Sequence, residues 1–161
     1  MGVAVVAYII CGLLPLIQSM RGIRWRRAYA AAYRRSLSDV PGLLPNTAIE
    51  RAAWIPLSLT AGICEEILCR GFLIRFLHEG VFGIPVVIAL VVSSLIFGLG
   101  HAYQGLKGVM GTAVSGLGFG LLFFLTGNLI ASIIVHVLVD LQVPFVLRPI
   151  PGDLAVSPEA A

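Results

Sequence analysis

The chain has 161 residues, of which 58% are hydrophobic and 12% charged, and its mean hydropathy is +0.98. A soluble domain carries about 25% charged residues. This chain instead contains apolar runs close to the length that crosses a bilayer. The composition therefore excludes an ordinary soluble domain and predicts an all-α fold, a polytopic transmembrane helix bundle of about five spans.

The net charge of +3 is unevenly distributed, because six arginines lie in the segment RGIRWRRAYAAAYRR, residues 21 to 35. A basic run of this kind can bind nucleic acid or acidic lipid. We favour the positive-inside interpretation, a cytoplasmic segment that sets orientation, and expect no nucleic-acid partner. Trp25, Tyr29 and Tyr33 suit a helix at the level of the lipid headgroups. The expected location is the plasma (inner) membrane, with this segment in the cytoplasm.

Five apolar runs are long enough to be spans, at about residues 3–20, 57–77, 86–103, 109–125 and 129–147. The arginines follow the first run instead of preceding it, so we expect a retained span and not a signal peptide. Thr47 and Glu50 have capping-box spacing and predict a helix start, whereas Pro56 predicts an interruption of that helix. Gly116 and Gly120 form a GxxxG pattern, which favours close packing within the bundle.

The chain divides into three predicted parts. Residues 1–53 form an N-terminal span and basic interfacial segment, residues 54–147 a core of four spans, and residues 148–161 a polar tail. The cysteines are odd in number, lie in apolar runs and form no CxxC pair, so we expect buried reduced thiols at Cys11, Cys64 and Cys69.

Ionisable residues inside the predicted spans are few: Glu65, Glu66, Arg70, Arg75, His101, His136 and Asp140. Such residues usually face the bundle interior, pair with one another and mark a functional site. Glu66 and Arg70 are four residues apart, which predicts an ion pair on one helix face. Arg70 would then offset the buried charge of Glu66, and Glu65 would point elsewhere.

The same four-residue spacing recurs on two other spans, at Phe97 and His101 and at His136 and Asp140. Three helices are therefore expected to present polar groups to a common interior. A desolvated glutamate can act as general base toward water, and nearby histidines can share its proton or stabilise an oxyanion. One glutamate and two histidines are also a zinc ligand set. Membrane carboxylates and histidines also build proton relays, so a transporter is a further alternative.

These motifs resemble one known family. EEILCR matches EExxxR, FGLGH matches FxxxH, and HVLVD matches HxxxN/D. In order and spacing they are similar to the CPBP family of intramembrane endopeptidases, also called Abi or CAAX protease-like, over roughly residues 54–145. That family includes prenyl-protein endopeptidases and bacteriocin-processing or immunity proteins.

The resemblance implies specific roles. Glu65 would be the general base that activates water, with His101 beside it, and His136 and Asp140 would line the oxyanion site. Glu66 and Arg70 would brace their helix, with Phe97 as a further supporting residue. We expect no cofactor; if zinc is present, its ligands would be Glu65, His101 and His136.

The expected activity is hydrolysis of a peptide bond near the terminus of a membrane-associated protein or peptide. The substrate is a CAAX-type tail, a bacteriocin leader or a C-terminal sorting signal, and the bilayer is the other partner. A non-catalytic scaffold or immunity protein of the same fold is the main alternative. Position 140 departs from the prenyl-protein proteases, which have Asn there. An ionised Asp140 accepts hydrogen bonds but donates none.

Overall fold

The computed structural model describes residues 2–38, 40–80 and 82–149. In the first helix it describes side chains only at residue 9 and from residue 12 onward. This part of the chain is helical and contains no strand. Its helices are α1 (Gly2–Arg21), α2 (Ile23–Ser36), α3 (Ala48–Glu66), α4 (Ile74–His78), α5 (Val86–Gly100), α6 (Gly105–Thr126) and α7 (Leu129–Val146). A π-helical segment, Ile67–Leu73, joins α3 directly to α4, and short 3-10 helices occupy Pro41–Leu43 and Ala102–Gln104. The predicted tail lies outside the described residues from position 150 onward.

Two helical segments are long and apolar enough to cross a membrane, Ala102–Thr126 and Leu129–Val146, and Val86–Leu99 is apolar but shorter. The other predicted spans stay predictions. The surface is apolar where that of a soluble bundle would be polar, with exposed Leu57, Leu68, Phe72, Leu95, Val114, Phe124 and Ile134. Glu66, Arg70 and His136 are buried instead. This distribution is typical of a bundle whose outer face contacts lipid.

Helix α3 begins where its capping box predicts. The Thr47 hydroxyl accepts from the Glu50 backbone N–H, and the Glu50 carboxylate accepts from the Thr47 N–H, each at 3.1 Å. The N–H groups of Thr47 and, secondly, Asn46 lower the pKa of Glu50. The predicted interruption at Pro56 is wrong, because α3 runs through this residue. A proline removes one helical hydrogen bond, and packing of the surrounding turns against a neighbouring helix can offset that loss.

Close helix contacts form at glycines. A Cβ at Gly62 of α3 would lie 3.2 Å from the Val137 backbone nitrogen of α7, and one at Gly120 of α6 would lie 2.9 Å from Leu90 Cδ2 of α5. The GxxxG pattern therefore packs inside the bundle, as predicted. The cysteine prediction holds only in part, because Cys69 is buried but Cys64 is exposed, both being free thiols. The side chain of Cys11 lies outside the described residues.

Gln142 of α7 inserts its amide into α1. Its Oε1 accepts from the Leu16 backbone N–H at 3.1 Å, and its Nε2 donates to the Gly12 carbonyl at 2.9 Å. Pro15 lies inside this turn and has no backbone N–H to donate. The amide thus supplies both a donor and an acceptor to the turn of α1 that the proline disturbs. Gln142 is 1% exposed and fixes α1 against the helix that carries His136 and Asp140.

We expect Gln142→Leu to lower the free energy of unfolding by about 1–3 kcal/mol, because the backbone groups of Leu16 and Gly12 lose buried partners. The measurement is the thermal midpoint in detergent. Ser94→Ala is the control, since the Ser94 hydroxyl is equally buried but bonds only the Leu90 carbonyl of its own helix. Equal midpoints for the two variants would contradict the bridging role.

Candidate active site

Three parts of the fold converge on one interior region. The last turn of α3 carries Glu65 and Glu66, and the π-helical segment after it carries Arg70. The C-terminal end of α5 carries Phe97, and His101 follows its last residue. The middle of α7 carries His136 and Asp140.

Glu66 lies at the centre of a buried polar cluster. Arg70 Nη1 donates to Glu66 Oε1 at 2.7 Å, and the two side chains are 1% and 0% exposed. The predicted ion pair is therefore confirmed. The sequence did not predict a second bond, in which His136 Nδ1 lies 2.9 Å from the same oxygen. Glu66 thus contacts both the arginine that balances its charge and a predicted catalytic histidine.

Aromatic rings enclose this cluster. The Arg70 guanidinium lies 4.6 Å from the Phe97 ring centroid and 5.4 Å from that of Phe119, which are cation–π distances. Phe119 also stacks on His136, with centroids 4.5 Å apart and planes 15° apart. Phe97 thus contacts Arg70, and its supporting role stays a prediction. Phe119 was missed because it belongs to no polar motif; its only signal is its place in the glycine-rich helix.

Arg70 is held by backbone geometry as well as by charge. Its Nη2 donates to the Gly116 carbonyl of α6 at 2.7 Å. The π-helical segment that carries Arg70 contains a wider turn, and the Ser93 hydroxyl of α5 donates to the Cys69 carbonyl there at 2.9 Å. π-Helical turns are rare and often occur at functional sites, because they re-aim a side chain. No sequence pattern indicated a π-helical turn at this position.

Glu65 points in a different direction from Glu66. Its carboxylate is 34% exposed and lies 3.7 Å from His136 Nε2, measured to Oε2. Asp140 lies near the same nitrogen, with Oδ2 at 3.8 Å and 33% exposure. The structure therefore brings Glu65, His136 and Asp140 together, with both carboxylates within 4 Å of the Nε2 atom.

His101 completes the predicted set at the end of α5. Its Nδ1 lies 2.9 Å from the Phe97 carbonyl oxygen, and its ring packs against Phe97 and Tyr103. A carbonyl oxygen only accepts, so Nδ1 carries the proton in this bond. His101 does not contact His136 directly, but both histidines line the same cavity.

A cavity of about 440 Å³ connects these residues to the ends of several helices. Its inner wall contains the predicted catalytic groups, namely Glu65, His101, His136 and Asp140. Its other walls come from α2 and the segment after it, the start of α3 and the turn before α6, including Tyr33, Leu37, Trp54, Tyr103 and Lys107. A largely apolar pocket with a few convergent polar groups is the usual form of a ligand site.

Hydrogen-bond partners assign the tautomers of both histidines. The Phe97 carbonyl holds a proton on Nδ1 of His101, and the Glu66 carboxylate does the same for His136. In each neutral ring, Nε2 therefore presents a lone pair and no N–H. Both histidines can accept a proton, and neither can donate a hydrogen bond through Nε2 until it has done so.

Metal binding is a separate question, because one glutamate and two histidines were considered as zinc ligands. Among the described residues, no group of three or more His, Cys, Asp or Glu side chains is arranged to hold a metal ion. The Nδ1 bonds of His136 to Glu66 and of His101 to a carbonyl are also those that zinc-ligating histidines make, and they leave both Nε2 atoms available as ligands. The residue types therefore suit zinc, but in this structure their donor atoms are not grouped around one point.

Gly116 provides a local test of the packing around Arg70. A Cβ at this position would lie 2.8 Å from Phe97 Cδ1 and 3.1 Å from Arg70 Nη2. We expect Gly116→Ala to destabilise the fold by about 1–3 kcal/mol, which is typical of an overpacked site. Gly111→Ala on the same helix meets no atom within 4 Å and should be neutral or stabilising. Thermal midpoints in detergent compare them, and a tolerated Gly116→Ala would refute close packing here.

The fold and the site together define a helical membrane protein with carboxylates and histidines around an internal cavity. Comparison with known proteins identifies its family: a model of type II CAAX prenyl endopeptidases, described as Rce1-like, matches residues 47–142. The match covers more than half of the chain, so the protein belongs to this family of membrane-integral proteases. No curated protein and no solved structure gives a significant match. The matched region begins at the capping box of α3, slightly before the predicted boundary at residue 54.

Proposed function

We propose that this protein is an intramembrane endopeptidase in which Glu65 activates water to hydrolyse a peptide bond near the terminus of a membrane-associated substrate. The observation that carries the proposal is the arrangement around His136 Nε2. The carboxylates of Glu65 and Asp140 lie 3.7 and 3.8 Å from this nitrogen, on the wall of the cavity. Peptide hydrolysis needs a base near water and a group that returns the proton to the leaving nitrogen.

The reaction begins with a water molecule between Glu65 and the carbonyl carbon of the substrate. Glu65 takes one proton as the water oxygen attacks the carbonyl carbon, and a tetrahedral intermediate with a negative oxygen forms. The proton then passes to the leaving nitrogen, directly or through His136 Nε2, and the C–N bond breaks. The products are a carboxyl group and an amine, so the step consumes one water.

His136 is suited to carry the proton in this step. Its Nδ1 donates to Glu66, so Nε2 is free to accept. Once protonated, the imidazolium lies among three carboxylates, those of Glu65, Glu66 and Asp140. Asp140 therefore orients and stabilises a protonated His136, a role that the acceptor groups of an ionised aspartate allow. His101 offers a second Nε2 acceptor for the attacking water.

The proposal includes no metal. In this proposal Glu65 and the two histidine acceptors activate water, and no three His, Cys, Asp or Glu side chains among the described residues are grouped to hold a metal ion. Activity of the purified chain after treatment with a chelator is the direct test. Unchanged cleavage supports the glutamate mechanism. Loss of cleavage that Zn²⁺ restores would require a metalloprotease instead.

The substrate is tested with the full chain in lipid vesicles. Internally quenched peptides with a farnesylated CAAX terminus, the same terminus unprenylated, and a bacteriocin-leader sequence compare the proposed classes. Protein termini in cells that carry wild type or Glu65→Gln then give a substrate-independent result. Termini lost only in the variant would support a protease and identify its substrate. Identical termini at equal protein levels would favour the scaffold or immunity alternative.

A further inference from the structure

The proposed reaction has no assigned hydrogen-bond donor for the oxyanion. The tetrahedral intermediate carries a negative oxygen, which requires a hydrogen-bond donor in the cavity. Neutral His101 and His136 have no N–H at Nε2, because their Nδ1 atoms hold the protons. An ionised Asp140 only accepts, and the proton that Glu65 takes from water is needed for the leaving nitrogen. A donor outside the set of residues that the motifs provide would therefore stabilise the oxyanion without consuming that proton.

Tyr33 of α2 is the hydroxyl donor best placed for this purpose. It is partly buried, it lines the cavity that contains Glu65, His136 and Asp140, and α2 packs against α7. Its hydroxyl makes no hydrogen bond within the part of the chain that the structure describes. By contrast, Tyr29, one turn earlier on α2, is engaged by Gln18 Oε1.

Electrostatics keep the Tyr33 hydroxyl protonated. Burial raises the pKa of Tyr33 above its ordinary value, and the negative charge of Asp140 raises the pKa further. The neutral phenol therefore persists at physiological pH and remains a donor.

Other donors on the cavity wall are less suitable. The Ser58 hydroxyl has no hydrogen-bond partner among the described residues, but its oxygen is fully buried and the residue is 1% exposed, so it presents almost no surface to a substrate. Tyr103 is 54% exposed, and its oxygen accepts from Gln104 Nε2 at 3.2 Å. The Thr112 hydroxyl is engaged by carbonyls of its own helix, and Trp54 Nε1 donates to the Asp140 backbone carbonyl. Lys107 is exposed at the cavity rim.

We propose that Tyr33 is a further catalytic residue, whose hydroxyl donates a hydrogen bond to the oxyanion formed when Glu65-activated water attacks the substrate. No proton is transferred, since the phenol stabilises the charge and keeps its hydrogen. The inference rests on the proposed function. It also gives α2, which lies outside the family match at residues 47–142, a part in completing the site.

The test uses the full chain in vesicles and the peptide that the wild type cleaves, whether the farnesylated probe or the substrate found from cellular termini. Tyr33→Phe removes only the hydroxyl, and we expect kcat to fall by about 10²-fold with KM nearly unchanged, as for a lost oxyanion donor. Tyr29→Phe is the matched control on the same helix and should retain its kcat. Equal kcat values for wild type, Tyr33→Phe and Tyr29→Phe would overturn the inference and leave the protease standing.

Three further outcomes separate the possibilities. A loss of kcat in Tyr103→Phe but not in Tyr33→Phe would assign the donor to the other side of the cavity and overturn the inference. A rise in KM alone for Tyr33→Phe would make it a substrate-binding residue and also overturn the catalytic role. If the wild type cleaves no probe and cellular termini match those of Glu65→Gln, the proposed function fails and this inference falls with it.

Discussion

Glu65→Gln should leave a folded protein that cleaves its substrate at least about 10³-fold more slowly than the wild type. The carboxylate is 34% exposed to the cavity, and its nearest ionic neighbour is His136 at 3.7 Å. Glutamine has the same size, so packing is preserved, but the amide cannot take a proton from water. A general base contributes about 10²–10⁴-fold to the rate of such reactions.

The measurement pairs cleavage of the active probe with the thermal midpoint in detergent. Glu79→Gln is the matched control, because Glu79 is an exposed glutamate at the end of α4 and lies outside the cavity. Retained cleavage in Glu65→Gln would remove this residue from the chemistry. A lowered midpoint together with lost cleavage would make Glu65 structural and reopen the scaffold interpretation.

The same experiment distinguishes the transporter alternative. A proton relay also uses membrane carboxylates, but its output is a change in flux across the bilayer and not a new chain terminus. Among the described residues, prolines lie inside three helices, Pro15 of α1, Pro56 of α3 and Pro144 of α7, and α3 runs through Pro56 without a break. The unwound helices expected at a transport site are thus absent from α3 as described.

Short-range patterns predicted much of the site. Four-residue spacings correctly indicated that Glu66 and Arg70 form a pair and that histidines on two other helices face the same interior. Such patterns work because residues four apart share one helix face, whatever the rest of the fold does. The capping box at Thr47 is a local signal of the same kind and marks the start of α3.

The features that the sequence did not predict depend on contacts between distant parts of the chain. The bond from His136 Nδ1 to Glu66 spans seventy residues, and the Gln142 amide reaches α1 from the other end of the chain. Neither partner has a pattern that indicates the other. Pro56 misled the prediction for a similar reason, because the cost of a missing hydrogen bond is local while the packing that offsets it is not. Cys64 is exposed because it lies on the outward-facing side of α3.

Glu66 combines two roles that a single substitution cannot separate. Its Oε1 accepts from Arg70 Nη1 at 2.7 Å and from His136 Nδ1 at 2.9 Å. A glutamine at this position keeps an acceptor oxygen but no charge, so the buried Arg70 guanidinium would lie beside the Gly116 carbonyl and two aromatic rings without a counter-charge. Breaking a buried ion pair by removing one partner typically costs about 3–5 kcal/mol. We therefore expect Glu66→Gln to lower the thermal midpoint strongly, unlike Glu65→Gln.

The double variant Glu66→Gln/Arg70→Met separates the two roles. Replacing both charges of a buried pair by groups of similar volume is often close to neutral for stability, so most of the lost midpoint should return. Cleavage should not return, because the carboxylate that held the proton on His136 Nδ1 is still missing and the ring can adopt the wrong tautomer. Midpoint and kcat measured on the single and double variants test this. Recovery of both would make Glu66 a purely structural partner of Arg70, whereas recovery of stability alone assigns it the positioning of His136.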